Sequence, residues 1–150
     1  MPSLEDPALV NQLVTRLQKL HEQRPRAWGK MTPHEMLCHL SDSFQLALGE
    51  RQASPAETLL TRTLIKYIAL RTSMAWPQGA KTRPEVDPQA SGTKPQDFER
   101  DRARSIELLQ RFVSPQATYG RHPFFGAMTR EEWLIWGYRH TDHHLRQFAL

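Results

Sequence analysis

The sequence predicts an all-α protein, read as a four-helix bundle with one extra helix and a long proline-rich crossover loop. Three observations lead there. Apolar residues recur at helical spacing in five segments of the 150 residues, and no run alternates as a half-buried strand would. Three segments open on the same start signal, a serine or threonine followed three residues later by glutamate. Hydrophobic residues make up 39%, a modest share that suits helices with one wet face each.

In the first segment Leu9, Val10, Leu13, Val14, Leu17 and Leu20 form one apolar stripe, and His21 follows at its end, where it suits the helix dipole. The second opens on "TPHE": Thr32 caps, Pro33 takes the first helical position and Glu35 completes a capping box. Its stripe is Leu37, Leu40, Phe44, Ala47 and Leu48, and His34 in the first turn is expected to meet solvent. The third opens on "SPAE", Ser54 to Glu57, and runs through Leu60, Leu64, Ile65 and Ile68. The fourth spans about Gln96 to Val113, with Phe98, Ile106, Leu109 and Phe112 inward. The fifth opens on "TREE", with Thr129 capping and Glu132 reaching back, and is expected to continue to the end of the chain.

Residues 73–95, containing "MAWPQGAKTRPEVDPQASGTKP", form a long structureless connection with two open readings, a floppy crossover or a lid. Trp76 at its start favours the lid, because an aromatic heading a polar loop packs on something. A second loop, "SPQATYGRHPFFG", carries His122, Phe124 and Phe125. The whole reads as a single domain with its own hydrophobic core.

Composition narrows the functional classes. The net charge is +4, but the basic residues are interleaved with acids and trace no stripe with aromatics, which argues against nucleic acid as a partner. A single cysteine, Cys38, excludes an intramolecular disulfide and any paired-cysteine zinc site. "MPSLEDPALV" is not a secretory signal, and no stretch is long and apolar enough to span a bilayer. The expected location is a reducing cytoplasm, with no membrane partner.

The chemistry concentrates in "YRHTDHHLRQF", which holds His140, His143 and His144. At roughly 100° per residue, His140 and His144 lie about 40° apart on one face of the fifth helix. Trp133, Trp136, Gly137 and Gln147 share that face, while Arg139, Asp142 and Arg146 point the other way and His143 sits at the edge. Two inward imidazoles one turn apart each bring a donor and an acceptor that need partners. A divalent ion can take both lone pairs, at the spacing used by helical zinc sites, although HxxxH pairs also arise by chance. A third ligand would come from another helix. His39 is the best candidate, but it projects at the margin of its stripe, and a boundary histidine is the alternative. His122 reads either as a fourth ligand or as a surface group. Cys38 projects about 100° from His39 and does not suit the same ion. Asp42 and Glu35 show no pairing in the sequence. No nucleophile elbow, glycine-rich phosphate loop or HExxH motif is present.

"WGKMTPHEMLCHLSDS" followed by "HPFFGAMTREEWLIWGYRHTDHHLRQF" resembles the DinB/YfiT-like superfamily of metal-binding helical bundles, and within it a branch of uncharacterised bacterial proteins. The resemblance covers the order of elements over most of the chain, with the specific motifs in the second and last helices. It implies one divalent ion, zinc or nickel, held by three histidines that fall on His39, His140 and His144. Gln147 falls where the family's HRGQ has its glutamine; here HLRQ places Leu145 and Arg146 between.

On that resemblance the expected function is that of a metal-dependent thiol S-transferase or a hydrolase acting on a small molecule. A low-molecular-weight thiol is the expected partner, activated at an ion with open positions. Trp76, His122, His143 and Gln147 are then candidates to hold the substrate or to orient the ligands. The alternative is a non-enzymatic helical binding or stress protein, a homodimer, whose metal is structural or vestigial.

Overall fold

The computed structural model describes residues 1–150 and is all-helical. Five α-helices, Pro7–Lys19 (α1), Pro33–Ala47 (α2), Lys66–Arg71 (α3), Phe98–Val113 (α4) and Arg130–Arg146 (α5), are joined by loops. A π-helical turn, Thr61–Ile65, leads into α3, and a 3₁₀ turn covers Pro84–Val86. The nearest approach to a strand is an isolated antiparallel bridge between His122 and Gly126. No helix is long and apolar enough to cross a membrane.

Local chemistry starts four of the helices. Asp6 caps α1 by accepting from the Ala8 N–H at 2.8 Å, with Pro7 in the first helical position. Thr32 and Glu35 form the expected capping box on α2, as do Thr129 and Glu132 on α5. Asp97 caps α4, one residue inside the expected start. The α5 helix stops at Arg146 rather than at the last residue, and Gln147 is its C-cap. His21 lies in the turn after Leu20, the C-cap of α1, rather than on the helix.

The "SPAE" start signal fails. Ser54 caps no helix; its backbone N–H and hydroxyl both donate to Glu85. Glu57 pairs with Arg121 instead of reaching back, and the Ala56 N–H donates to Pro123 O at 2.8 Å. Those long-range partners hold the segment extended, and Thr58 and Thr61 exchange the hydrogen bonds that start the helical turn. Residues 73–95 are likewise not structureless. Val86 is buried, and Asp42 of α2 accepts from both the Thr93 N–H (2.7 Å) and the Thr93 hydroxyl (2.6 Å).

The core lies where α2, buried along nearly its whole circumference, packs against α4 and α5. Leu37, Leu40, Phe44, Leu109, Phe112 and Trp133 form its centre. Arg16 of α1 clamps α5 through Asp142 at 2.7 Å and the Leu150 carbonyl at 2.8 Å. One glycine decides the α4–α5 distance. A Cβ on Gly137 would stand 2.5 Å from Phe112 Cε1 and 3.0 Å from Leu4 Cδ1. Gly137→Ala is therefore expected to lower stability by up to about 2 kcal/mol, because overpacking of about 1–3 kcal/mol outweighs the helix-propensity gain of about 1 kcal/mol. Urea unfolding checks this, and a stabilised variant would contradict the packing described.

Candidate metal centre

Three imidazoles meet between α2 and α5. His140 and His144 lie one turn apart on α5, and their Nε2 atoms are 3.2 Å apart. His39 of α2 brings its own Nε2 to 3.2 Å from that of His140. One ligand nitrogen from each residue lies within 4.8 Å of the others. Nitrogens bound 2.0–2.1 Å from a tetrahedral zinc ion stand about 3.3 Å apart, so the spacing fits one ion.

The outer nitrogens decide which way the lone pairs face. His39 Nδ1–H donates to the Val86 carbonyl at 2.7 Å, and His144 Nδ1–H donates to Gln147 Oε1 at 2.8 Å. Those acceptors hold both rings in the tautomer whose Nε2 is a bare lone pair. His140 Nε2 can donate to only one of them, so without a cation two lone pairs confront each other at hydrogen-bond distance. His140 Nδ1 is itself buried without a partner. Burial pushes the pKa of His39 down, and burial followed by the neighbouring histidine charges pushes His140 and His144 well below the ordinary value. All three are therefore held neutral, the form that ligates metal.

His39 and His144 are buried, whereas His140 is partly exposed and stacks on Trp136 at 4.6 Å and 13°. His140 thus forms the least buried edge of the centre. Trp76 borders that edge with its ring 6.2 Å from His140 and 6.1 Å from His143. Its indole N–H donates to Ala69 O at 3.0 Å, and Arg139 covers its face. His143 packs edge-on against Trp28 at 4.8 Å, beside the cluster and outside it. His122 is not brought to the three. Its Nδ1 accepts from the N–H groups of Phe124 and Phe125, and its ring lies 5.5 Å from those of Trp133 and Trp136. It organises its own loop.

His34, expected in solvent, is buried: its Nε2 lies 2.8 Å from Asp101 Oδ2. Burial, then Asp101, pushes the neighbouring Cys38 thiol up to about 12, so it is held as the thiol. The Val86 carbonyl and the Asp42–Thr93 clamp behind it are the parts sequence reasoning missed. Both depend on a loop folding back onto α2, and neither Val86 nor Thr93 carries a local signal. Gln147 is held in turn by the 27–29 turn. The Ala27 N–H donates to Gln147 O at 2.7 Å, and Gly29, at φ +88°, leaves room for the amide where a Cβ would stand 2.7 Å from Nε2.

Two expectations follow directly. Gln147→Leu removes the acceptor of His144 Nδ1–H and should weaken zinc affinity about 10–100-fold; competition with a chromophoric chelator measures it, and unchanged affinity would refute the orienting role. Burial holds His122 down at about 3 against an ordinary 6.5. Between those values the unfolded chain binds the proton more tightly, so its contribution is present above pH 6.5 and drains away as pH falls towards 3. His122→Asn, which keeps an acceptor, should flatten the acid side of the stability curve by up to about 1.4 kcal/mol per pH unit. Equal slopes in urea titrations at pH 6 and pH 4 would refute it.

Fold and site together define an all-helical protein with three convergent neutral imidazoles between α2 and α5. The chain belongs to the DUF1569 family of proteins of unknown function, whose model matches residues 3–150. No curated protein and no solved structure matches it.

Proposed function

We propose that this is a divalent-metal protein of the DinB/YfiT-like kind, a four-helix bundle in which His39, His140 and His144 hold one zinc or nickel ion. Its activity on this reading is thiol S-transfer or hydrolysis on a small molecule in the cytoplasm. The observation that carries the reading is the pair of tied Nδ1–H groups, which leaves the His39 and His144 lone pairs aimed at the same point as His140 Nε2. A bound divalent ion with open positions makes a water or thiol nucleophilic near neutral pH.

The chain's own residues bind, orient and shield. Val86 O and Gln147 Oε1 hold the ligand tautomers. Trp136 braces His140 from one side, and Trp76 walls the open edge, where an apolar part of a substrate would rest. A second reading, a dimerising binding protein with a structural ion, draws on the apolar residues that α3 and its lead-in turn expose.

Protein purified without a histidine tag, its metal measured by mass spectrometry, tests both. About one ion per chain that is lost in His140→Ala, with exchangeable water and turnover of a thiol adduct, supports catalysis. An occluded ion whose chelation collapses thermal stability, with no turnover, supports the structural reading. Metal-free protein that takes up neither zinc nor nickel sinks both.

A further inference from the structure

A second cluster of metal-ligating atoms lies on another face of α2. We propose that His34, Cys38 and Asp101 form a second divalent-metal site, separate from the three histidines and suited to a zinc-like ion. His34 and Cys38 are one turn apart on α2, and Asp101 reaches them from α4, so two helices supply the site, as they do the first. One ligand atom from each lies within 4.8 Å of the others. Asp101 Oδ2 stands at the centre, 2.8 Å from His34 Nε2 and 3.8 Å from Cys38 Sγ. Ligands of a tetrahedral zinc ion stand about 3.3 Å apart for nitrogen and oxygen and about 3.6 Å for sulfur and oxygen, close to the two separations at Asp101 Oδ2.

The surroundings fit as well. His34 Nδ1 faces Glu22 at 3.7 Å, a carboxylate placed to take the N–H once Nε2 is given to an ion. Phe98 packs edge-on against the imidazole at 5.4 Å and fixes its plane. Cys38 is buried, while the side chains of His34 and Asp101 keep 11% and 13% exposure. Binding replaces the Sγ–H bond with a sulfur–metal bond and releases that proton to solvent. The His34 proton moves from Nε2 to Nδ1, towards Glu22. Thiolate and carboxylate together neutralise the ion's two charges, and the thiolate favours zinc-like ions over magnesium or calcium.

Cobalt(II) titration tests this and distinguishes it from the three-histidine centre, because only a thiolate ligand produces the near-ultraviolet sulfur-to-cobalt charge-transfer band. The expected result is that band in the wild type, retained in His140→Ala and lost in Cys38→Ser and Asp101→Ala. Absence of the band in the folded wild type at saturating cobalt overturns the site, whatever the variants do. A band that survives Cys38→Ser, or that disappears in His140→Ala with the fold intact, overturns it too.

A different observation carries a second inference. Leu59, Leu60, Leu64, Ile65, Tyr67 and Met74 lie along α3 and its flanks with exposures of 41–72%. This segment buries Leu70 in the core and leaves those six side chains exposed. Lys66 pairs with Glu132 at 3.2 Å, Arg71 with Glu131 at 2.6 Å, and Arg62 with Glu57 at 4.0 Å. Its cations are paired with the protein's own carboxylates, and the six apolar side chains have no such partners. We infer that this face docks on a second copy of the chain. Six such side chains offer on the order of 600 Å², close to the ~800 Å² per partner of a standard interface. With the cations tied down, the attraction to anionic lipid that would favour a membrane surface is weak.

Sedimentation velocity should find a dimer, and Leu60→Glu with Leu64→Glu should give a monomer with unchanged helical circular dichroism. A wild type that stays monomeric at its highest attainable concentration overturns the inference. So does a dimer indifferent to both substitutions, or a monomer that binds phosphatidylglycerol vesicles.

Discussion

Substituting His140 with alanine is expected to remove the ion held by the three histidines, lowering bound metal by about one ion per chain. The residue is central to the triangle: its Nε2 lies 3.2 Å from those of both His39 and His144. Its removal takes away a ligand itself, so the affinity loss should exceed the 10–100-fold that follows from losing an outer hydrogen-bond partner. Stability supplies a second readout. A ligand that binds only the folded chain stabilises it by about 4.1 kcal/mol at 1,000 times Kd, so wild-type melting should climb further with added zinc than the variant's. In metal-free protein the substitution also deletes a buried Nδ1 that has no partner, which offsets part of the packing lost beside Trp136. A variant with unchanged metal content and an unchanged zinc-dependent melting shift would remove the three-histidine centre from consideration.

The second large effect is expected at Asp42, which contacts none of the three imidazoles in hydrogen-bond terms. Fully buried on α2, it accepts from the N–H and hydroxyl of Thr93 and pairs with Arg51 at 2.8 Å. Asp42→Ala leaves the Thr93 N–H without its acceptor and should cost about 3 kcal/mol. That is the lower end for breaking a buried charged pair, because Arg51 keeps Glu85 O at 2.8 Å and the Thr93 hydroxyl. The functional consequence passes through the loop. Without its Asp42 anchor the 84–93 segment holds Val86 O less firmly against His39 Nδ1–H, and zinc affinity should fall about 10-fold, the lower end for losing an outer partner. Asp42→Asn, which keeps one acceptor, should lie between. If Asp42→Ala loses stability yet binds zinc as the wild type does, the clamp serves the fold and not the site.

These two residues mark how far the sequence reaches. His140 is legible because helical periodicity is a local property: a turn of about 3.6 residues places positions 140 and 144 on one face whatever surrounds them. The capping boxes at Thr32 and Thr129 are legible for the same reason, since each involves groups three residues apart. The identical signature at Ser54 misleads because Glu85, 31 residues away, captures the serine first. His34 misleads in the opposite direction. A first-turn histidine looks solvated until α4 brings Asp101 against it from 67 residues away. His39 was placed by resemblance and not by its projection, which sets it at the margin of the apolar stripe. That margin is where α5 and the 84–86 turn converge, and a stripe centred on the core cannot indicate it.

Local pattern alone is enough for the all-helical class, the approximate spans of four of the five helices, and the shared face of His140 and His144, because periodicity and capping are set by neighbours within one turn. Only the tertiary structure decided which nitrogen of each imidazole faces inward, which loop holds it there, and that α2 carries a second cluster on another face. Those choices rest on hydrogen bonds between residues 47 to 101 positions apart in the long-range cases. The partners of such bonds are selected by how whole helices pack, and no local pattern encodes that.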